Sequence, residues 1–312
     1  VVQKSTAAAL NQAAVMAQAS RIFEEFESEF PGLADSCLIS AVNAWRWANR
    51  NPNVQYSQDV LNDQYEPNIF TGAYGDEYFD DEFQWAAAEL FITTQEDSFL
   101  AKYNPLNGSF DVPSWNSVGS LALYSLGFHR QNIGPAVDTT DLKSQILALA
   151  NKFREESDVS AYRVSIGQSN GNFVWGSNGV AANQGIAMIQ AFSLTKDSTY
   201  LYAAQNNLDY LLGRNAVGYC FVTGKGSNST MHPHHRPSQA DGIADPVPGL
   251  LAGGPNPAKQ DDCSNYLGND PANAYSDTWC SYASNENAIN WNAALSYLAG
   301  AIEAIYSTTG LP

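Results

Sequence analysis

Apolar residues in this chain recur at helical spacing almost from end to end, and convincing strands are scarce. Val15, Ala19, Ile22 and Phe26 fall on one face of a first helix, and Cys37, Ala41, Trp45 and Ala48 on one face of a second. Side chains three or four positions apart share one side of a helix, which is why this spacing predicts a buried helical stripe. Leu142, Ile146, Leu149 and Phe153 mark another helix, with Asp138 to Asp141 as its cap. Tyr200, Ala204, Leu208 and Leu211 mark a further one, closed by Gly213, and Leu295, Leu298, Ile302 and Ile305 mark the last. Shorter helices are expected over 80–93, 115–126 and 178–194, and 218–223 is the best strand candidate. Pro/Gly-rich turns such as FPGLAD and NPNVQY join the helices in pairs. The pattern predicts an all-α stack of helical hairpins, a toroid or a solenoid, and the absence of a repeat of fixed period favours the toroid. No composition break suggests a linker, so residues 1–312 read as one domain.

The segment 214–285 interrupts this order. A long irregular stretch inside a compact domain is usually functional, and this one holds three of the four histidines. Its HPHHR run, His232 to Arg236, admits three readings: a metal cluster, a surface loop with incidental histidines, or a loop whose imidazole and guanidinium groups meet sugar hydroxyls. Cys263 and Cys280 bracket a 16-residue polar loop, and a disulfide is expected there, which would imply export. No CxxC pair argues for zinc, and Cys37 reads as a buried thiol. Net charge is −17, with no basic patch to neutralise phosphates, so nucleic acid and anionic membranes are poor partners. No apolar run reaches the length of a membrane span.

Immediately after that segment comes the most informative run, YSDTWCSYASNENAINWNA over 275–293. It sets Asp277 and Glu286 among the aromatics Tyr275, Tyr282 and Trp291 and the amides Asn285, Asn290 and Asn292. An apolar wall raises a carboxyl's pKa by desolvation and amides bind hydroxyls, so the setting suits acid/base work on a sugar.

Together, CFVTGKGSN (Cys220–Asn228), PHHR (Pro233–Arg236) and the 275–293 run resemble the two signatures of family 9 glycoside hydrolases, cellulase family E. Cys220 stands where the family usually has Ser, Thr or Val. Family-like runs KSTAAALNQAAVMAQASRIF, DEFQWAAAELF, YLLGRNAVGY and PVPGLLAGGPN extend the resemblance over essentially the whole chain. It implies an (α/α)6 toroid and inverting hydrolysis of β-1,4-glucan by a secreted endoglucanase. By position, Glu286 is the implied general acid, Asp277 a supporting carboxylate and His234 a substrate-site donor. Arg236, His235, Trp175 and Tyr282 are implied substrate contacts, with Trp115 a weaker one. Asp81 and Glu82 resemble a calcium-binding pair, although Asn116 stands where some members supply a later aspartate; no cofactor is needed for the chemistry. An exo-acting cellobiohydrolase, glucosidase or glucosaminidase, or a catalytically incomplete glucan-binding fragment, are the alternatives.

An inverting glycosidase also needs a base, with the two carboxyls roughly 6.5–9.5 Å apart to admit water. The family's Asp-Ala/Gly-Gly-Asp base motif is not found; Asp138 and Asp141 have the spacing but read as helix capping. About eight helices are legible where a toroid has twelve. The expectation is therefore a catalytic domain without its first helices. Exposed apolar faces would then favour a separate N-terminal segment or self-association, and the chain alone would turn over poorly.

Overall fold

The computed structural model describes residues 3–310, which fall into two compact units divided between Gln145 and Ile146. The division lies inside one helix. Among the described residues there are eleven α-helices and no strand; the predicted 218–223 strand is replaced by isolated bridges, Cys220 to Ser229 and Val222 to Leu251.

In the first unit α1 (Thr6–Glu24) and α2 (Leu33–Arg50) form an antiparallel hairpin. Ser5 caps α1 by accepting from Ala8 N–H, which occupies one of the unpaired N–H groups of the first turn. The buried Thr6 hydroxyl donates to Asn51 O and accepts from Val54 N–H, tying the start of α1 to the end of α2. Past α3 (Gln58–Gln64), α4 (Asp80–Thr94) and α5 (Gly119–Phe128) complete the packing. The core is built on small residues: Ala17, Ala41 and Leu90 are fully buried, with Met16, Leu38, Val42, Trp45 and Phe99 closing over them. Beside it Glu89, wholly buried on α4, pairs with Arg21 of α1 and accepts from Trp85 and Ser125, so the charge is matched rather than stranded.

The face predicted for α1 is not the buried one. The helix buries Leu10, Ala13, Ala14, Ala17 and Ser20, whereas Val15, Ile22 and Phe26 are 45%, 53% and 47% exposed. Alanines let helix backbones approach closely, and that packing outranked the bulkier stripe. The helix expected from Trp115 starts only at Gly119, because residues 114–117 turn back on themselves.

The boundary helix, α6 (Thr139–Val159), is capped by Asp138, whose Oδ1 accepts from the N–H groups of Thr140 and Asp141. In the second unit α7 (Ser177–Thr195), α8 (Ser198–Leu211) and α11 (Ile289–Thr309) pack together. α7 and α11 run in the same sense through two glycine contacts. A Cβ on Gly179 would lie 2.4 Å from the Trp291 ring, and one on Gly185 would lie 2.7 Å from Leu298. Only hydrogen at these positions lets the two helices meet. Between α8 and α11 the chain is irregular apart from α9 (Arg236–Ala240), α10 (Tyr282–Asn285) and a short 3-10 turn.

Candidate active site

Three segments of the second unit lie side by side and carry the predicted residues. His234 N–H donates to Asn285 O at 2.9 Å, Gly253 N–H to Glu286 O at 2.7 Å and Gly254 N–H to Ser284 O at 2.8 Å. The start of α7 joins them, since Asn178 donates from its side chain to Ala252 O and from its backbone to Gly253 O, both at 2.9 Å. This stitching brings Trp175, just ahead of α7, against Glu286, 111 positions away: the indole N–H donates to Glu286 Oε2 at 3.0 Å.

The single turn of α10 sets Tyr282 on the same spot, and Glu286 leaves it in extended conformation. The Tyr282 ring lies 5.6 Å from Trp175 and 5.8 Å from His234, centre to centre. His234 Nδ1 donates to Trp279 O at 2.7 Å and its ring leans on the Trp279 ring at 4.6 Å. That bond occupies Nδ1 and leaves Nε2 of His234 to meet a ligand. Glu286, Trp175, Tyr282 and His234 thus form one cluster. Trp175 and Tyr282 keep 39% and 37% of their surface exposed, enough for a ligand to lie against them.

Asp277 stands behind this cluster. Its Oδ2 accepts from Met231 N–H and its Oδ1 from His232 N–H, both at 2.9 Å, and the Asn285 amide donates to Oδ1 at 3.3 Å. Asn285 also donates to His232 O and accepts from the Tyr275 hydroxyl, which in turn meets Thr230. Complete burial, and then the negative charge of Asp277, push the Tyr275 phenol well above its ordinary range, so it stays a donor. His235 caps α9: its Nδ1 accepts from Ser238, leaving Nε2–H as a donor. Arg236 opens that helix, exposed to solvent. The histidines therefore serve different partners, and among the described residues no group of three or more His, Cys, Asp or Glu is arranged to hold a metal.

Sequence spacing did not single out Trp279 or Asp261. Asp261 Oδ2 accepts from Tyr266, Ser281 and the Ala283 N–H, anchoring α10. The expected disulfide joins Cys263 to Cys280 beside it, and Cys37 is a buried free thiol.

Within the first unit, Asp81 and Glu82 begin α4. Asp81 Oδ2 accepts from Val118 N–H at 2.6 Å. Glu82 is 1% exposed and faces the carboxyls of Asp76 and Asp81. Burial, then the charge of Asp81 and a hydrogen bond with Asp76, push the Glu82 carboxyl up to about 9. Asn116 is turned to Ser114, accepting its hydroxyl at 2.9 Å. Trp115, 49% exposed, stands edge-on to Tyr74.

The model of glycosyl hydrolase family 9 matches residues 1–299. The chain belongs to glycosyl hydrolase family 9. A xyloglucan-specific endo-beta-1,4-glucanase of Bacteroides ovatus is 41% identical over 309 residues, which are 98% of this chain and 52% of that protein. A cellulose 1,4-beta-cellobiosidase of Acetivibrio thermocellus is 31% identical over 96% of this chain and 36% of its own length. Among solved structures, a Bacteroides ovatus family 9 protein superposes with a TM-score of 0.87 at 40% identity, over 98% of this chain and 55% of that one. A family 9 protein solved with a cellobiose-like isofagomine gives 0.82 at 29% identity, over 96% of this chain and 56% of that one. The chain thus spans about half the length of the relatives it matches. Its all-α build is that of the family 9 (α/α)6 class.

Proposed function

We propose that this family 9 chain carries the proton-donating half of an inverting β-1,4-glucanase, with Glu286 as the general acid. The observation that carries the reading is the setting of Glu286: one oxygen held by Trp175, the other unburied and without a hydrogen-bond partner among the described residues, beside the half-exposed Trp175–Tyr282 ring pair. Glu286 protonates the leaving glycosidic oxygen. A base on the opposite face of the sugar activates the attacking water, and its Asp-Ala/Gly-Gly-Asp motif is not among these 312 residues. His234, through Nε2, meets a sugar hydroxyl, while Arg236 and the Nε2–H of His235 donate to others. Asp277 holds the loop that carries them. Residues 1–312 belong to one catalytic domain.

Xyloglucan is the first substrate to test, given the 41% identity to an enzyme named for it. Cleavage of soluble β-1,4-glucans, with the first-formed reducing end in the α configuration by proton NMR, supports the reading; a β product excludes inversion. The match to a cellobiosidase keeps an exo mode in play, and cellohexaose separates the two: mixed oligomers for endo action, cellobiose alone for exo. The disulfide supports export to an oxidising compartment.

Calcium is the ion that suits the expected Asp81 and Glu82 pair, because it prefers hard oxygen ligands and Glu82 is a buried carboxyl. Bound there it would be structural, neutralising the start of α4. Calorimetry with and without chelator tests this, and an unchanged melting temperature argues against the ion.

A further inference from the structure

We propose that Trp175 is a positioning residue for the acid, fixing Glu286 through Oε2 so that the transferable proton resides on Oε1. The inference rests on the reading of Glu286 as general acid and goes beyond the expected role of Trp175 as a surface for sugar rings. An indole N–H only donates, so the oxygen it meets is best the carbonyl oxygen of the protonated carboxyl. Trp175 meets Oε2 at 3.0 Å, whereas Oε1 is neither buried nor hydrogen-bonded among the described residues. The proton therefore sits on the oxygen that a glycosidic oxygen can reach.

Trp175 is itself held firmly. Tyr282 lies against its ring. The next residues are locked, because a Cβ on Gly176 would lie 2.5 Å from the Trp291 ring and the buried Ser177 hydroxyl donates to Pro255 O at 2.8 Å. As Oε1–H protonates the leaving oxygen, the C1–O bond breaks and its electron pair passes to that oxygen. Water forms the new C1–O bond and gives its proton to the base, and Glu286 is left as a carboxylate. An N–H bond to a carboxylate is stronger than one to the neutral acid. The Trp175 contact thus strengthens along the reaction, and interactions of that kind raise kcat rather than lower KM.

The test is Trp175→Phe, which keeps an aromatic face and removes the N–H, assayed in the whole protein on a soluble β-glucan. The expected result is a fall in kcat on the order of 10- to 100-fold, the worth of one charge-assisted hydrogen bond, with KM nearly unchanged. A raised KM with kcat retained means that Trp175 is only a stacking surface and overturns the proposal. The contact is read separately, without turnover, from the indole N–H resonance of nitrogen-15-labelled protein. The Trp175 signal, assigned by its loss in Trp175→Phe, is expected to move in Glu286→Ala, and an unmoved signal overturns the proposal. If Glu286→Gln leaves glucan hydrolysis intact, the reading of Glu286 as acid fails while the resonance still reports the contact.

Discussion

Asp277 and Glu286 sit nine residues apart in one run of sequence, yet the structure gives them opposite kinds of partner. Asp277 accepts from two backbone N–H groups and an amide, so it is a brace for the 231–234 segment. Replacing it with Asn sets an NH2 against one of those N–H groups. An unsatisfied backbone donor costs about 1–3 kcal/mol. Asp277→Asn is therefore expected to weaken cello-oligosaccharide binding in titration calorimetry and to lower the melting temperature; unchanged binding would show that the loop does not depend on it. The separation of roles was not legible in the spacing of the two carboxyls. It depends on Met231 and His232, 46 and 45 positions from Asp277, and on Trp175, 111 positions from Glu286. The motif singled out the residues, and only the fold shows which oxygen meets which donor.

Helix periodicity was informative where one face is apolar and uninformative where alanine does the packing. The stripes on α2, α6 and α8 are largely buried as expected, but α1 turns its alanines inward and leaves Val15 and Ile22 exposed. Glycine carries the α7 to α11 contact in the same way, which no hydrophobic pattern reveals. Gly179→Ala is expected to drive a methyl into Trp291 and destabilise the second unit by about 1–3 kcal/mol in denaturant unfolding, the usual penalty of overpacking; a neutral result would mean that α11 moves freely. At the start of α4, Glu82 ionises at about 9 when folded and near 4.5 when unfolded. Between those values the folded chain holds one more proton, so stability falls as pH rises. Chelator-treated protein should lose melting temperature with rising pH across that window, and Glu82→Gln should flatten the slope. An equal slope in the variant would remove Glu82 as its source.

Across the whole molecule, the net charge of −17 opposes any polyanion. Salt screens that repulsion within about 10 Å at 0.1 M. Activity on carboxymethylcellulose is therefore expected to rise several-fold with added salt while activity on neutral xyloglucan stays level; parallel responses would show that the site does not feel the global charge. The central claim concerns a single proton, the one Glu286 delivers. Its most direct measurement compares Glu286→Gln with wild type, in the whole protein, on β-glucan and on dinitrophenyl β-cellobioside, whose leaving group needs no protonation. Loss of glucan hydrolysis on the order of 10²–10⁴-fold, with the dinitrophenyl substrate largely spared, is the predicted result. Equal loss on both substrates, or glucan hydrolysis that persists, would contradict the assignment of Glu286 as the acid.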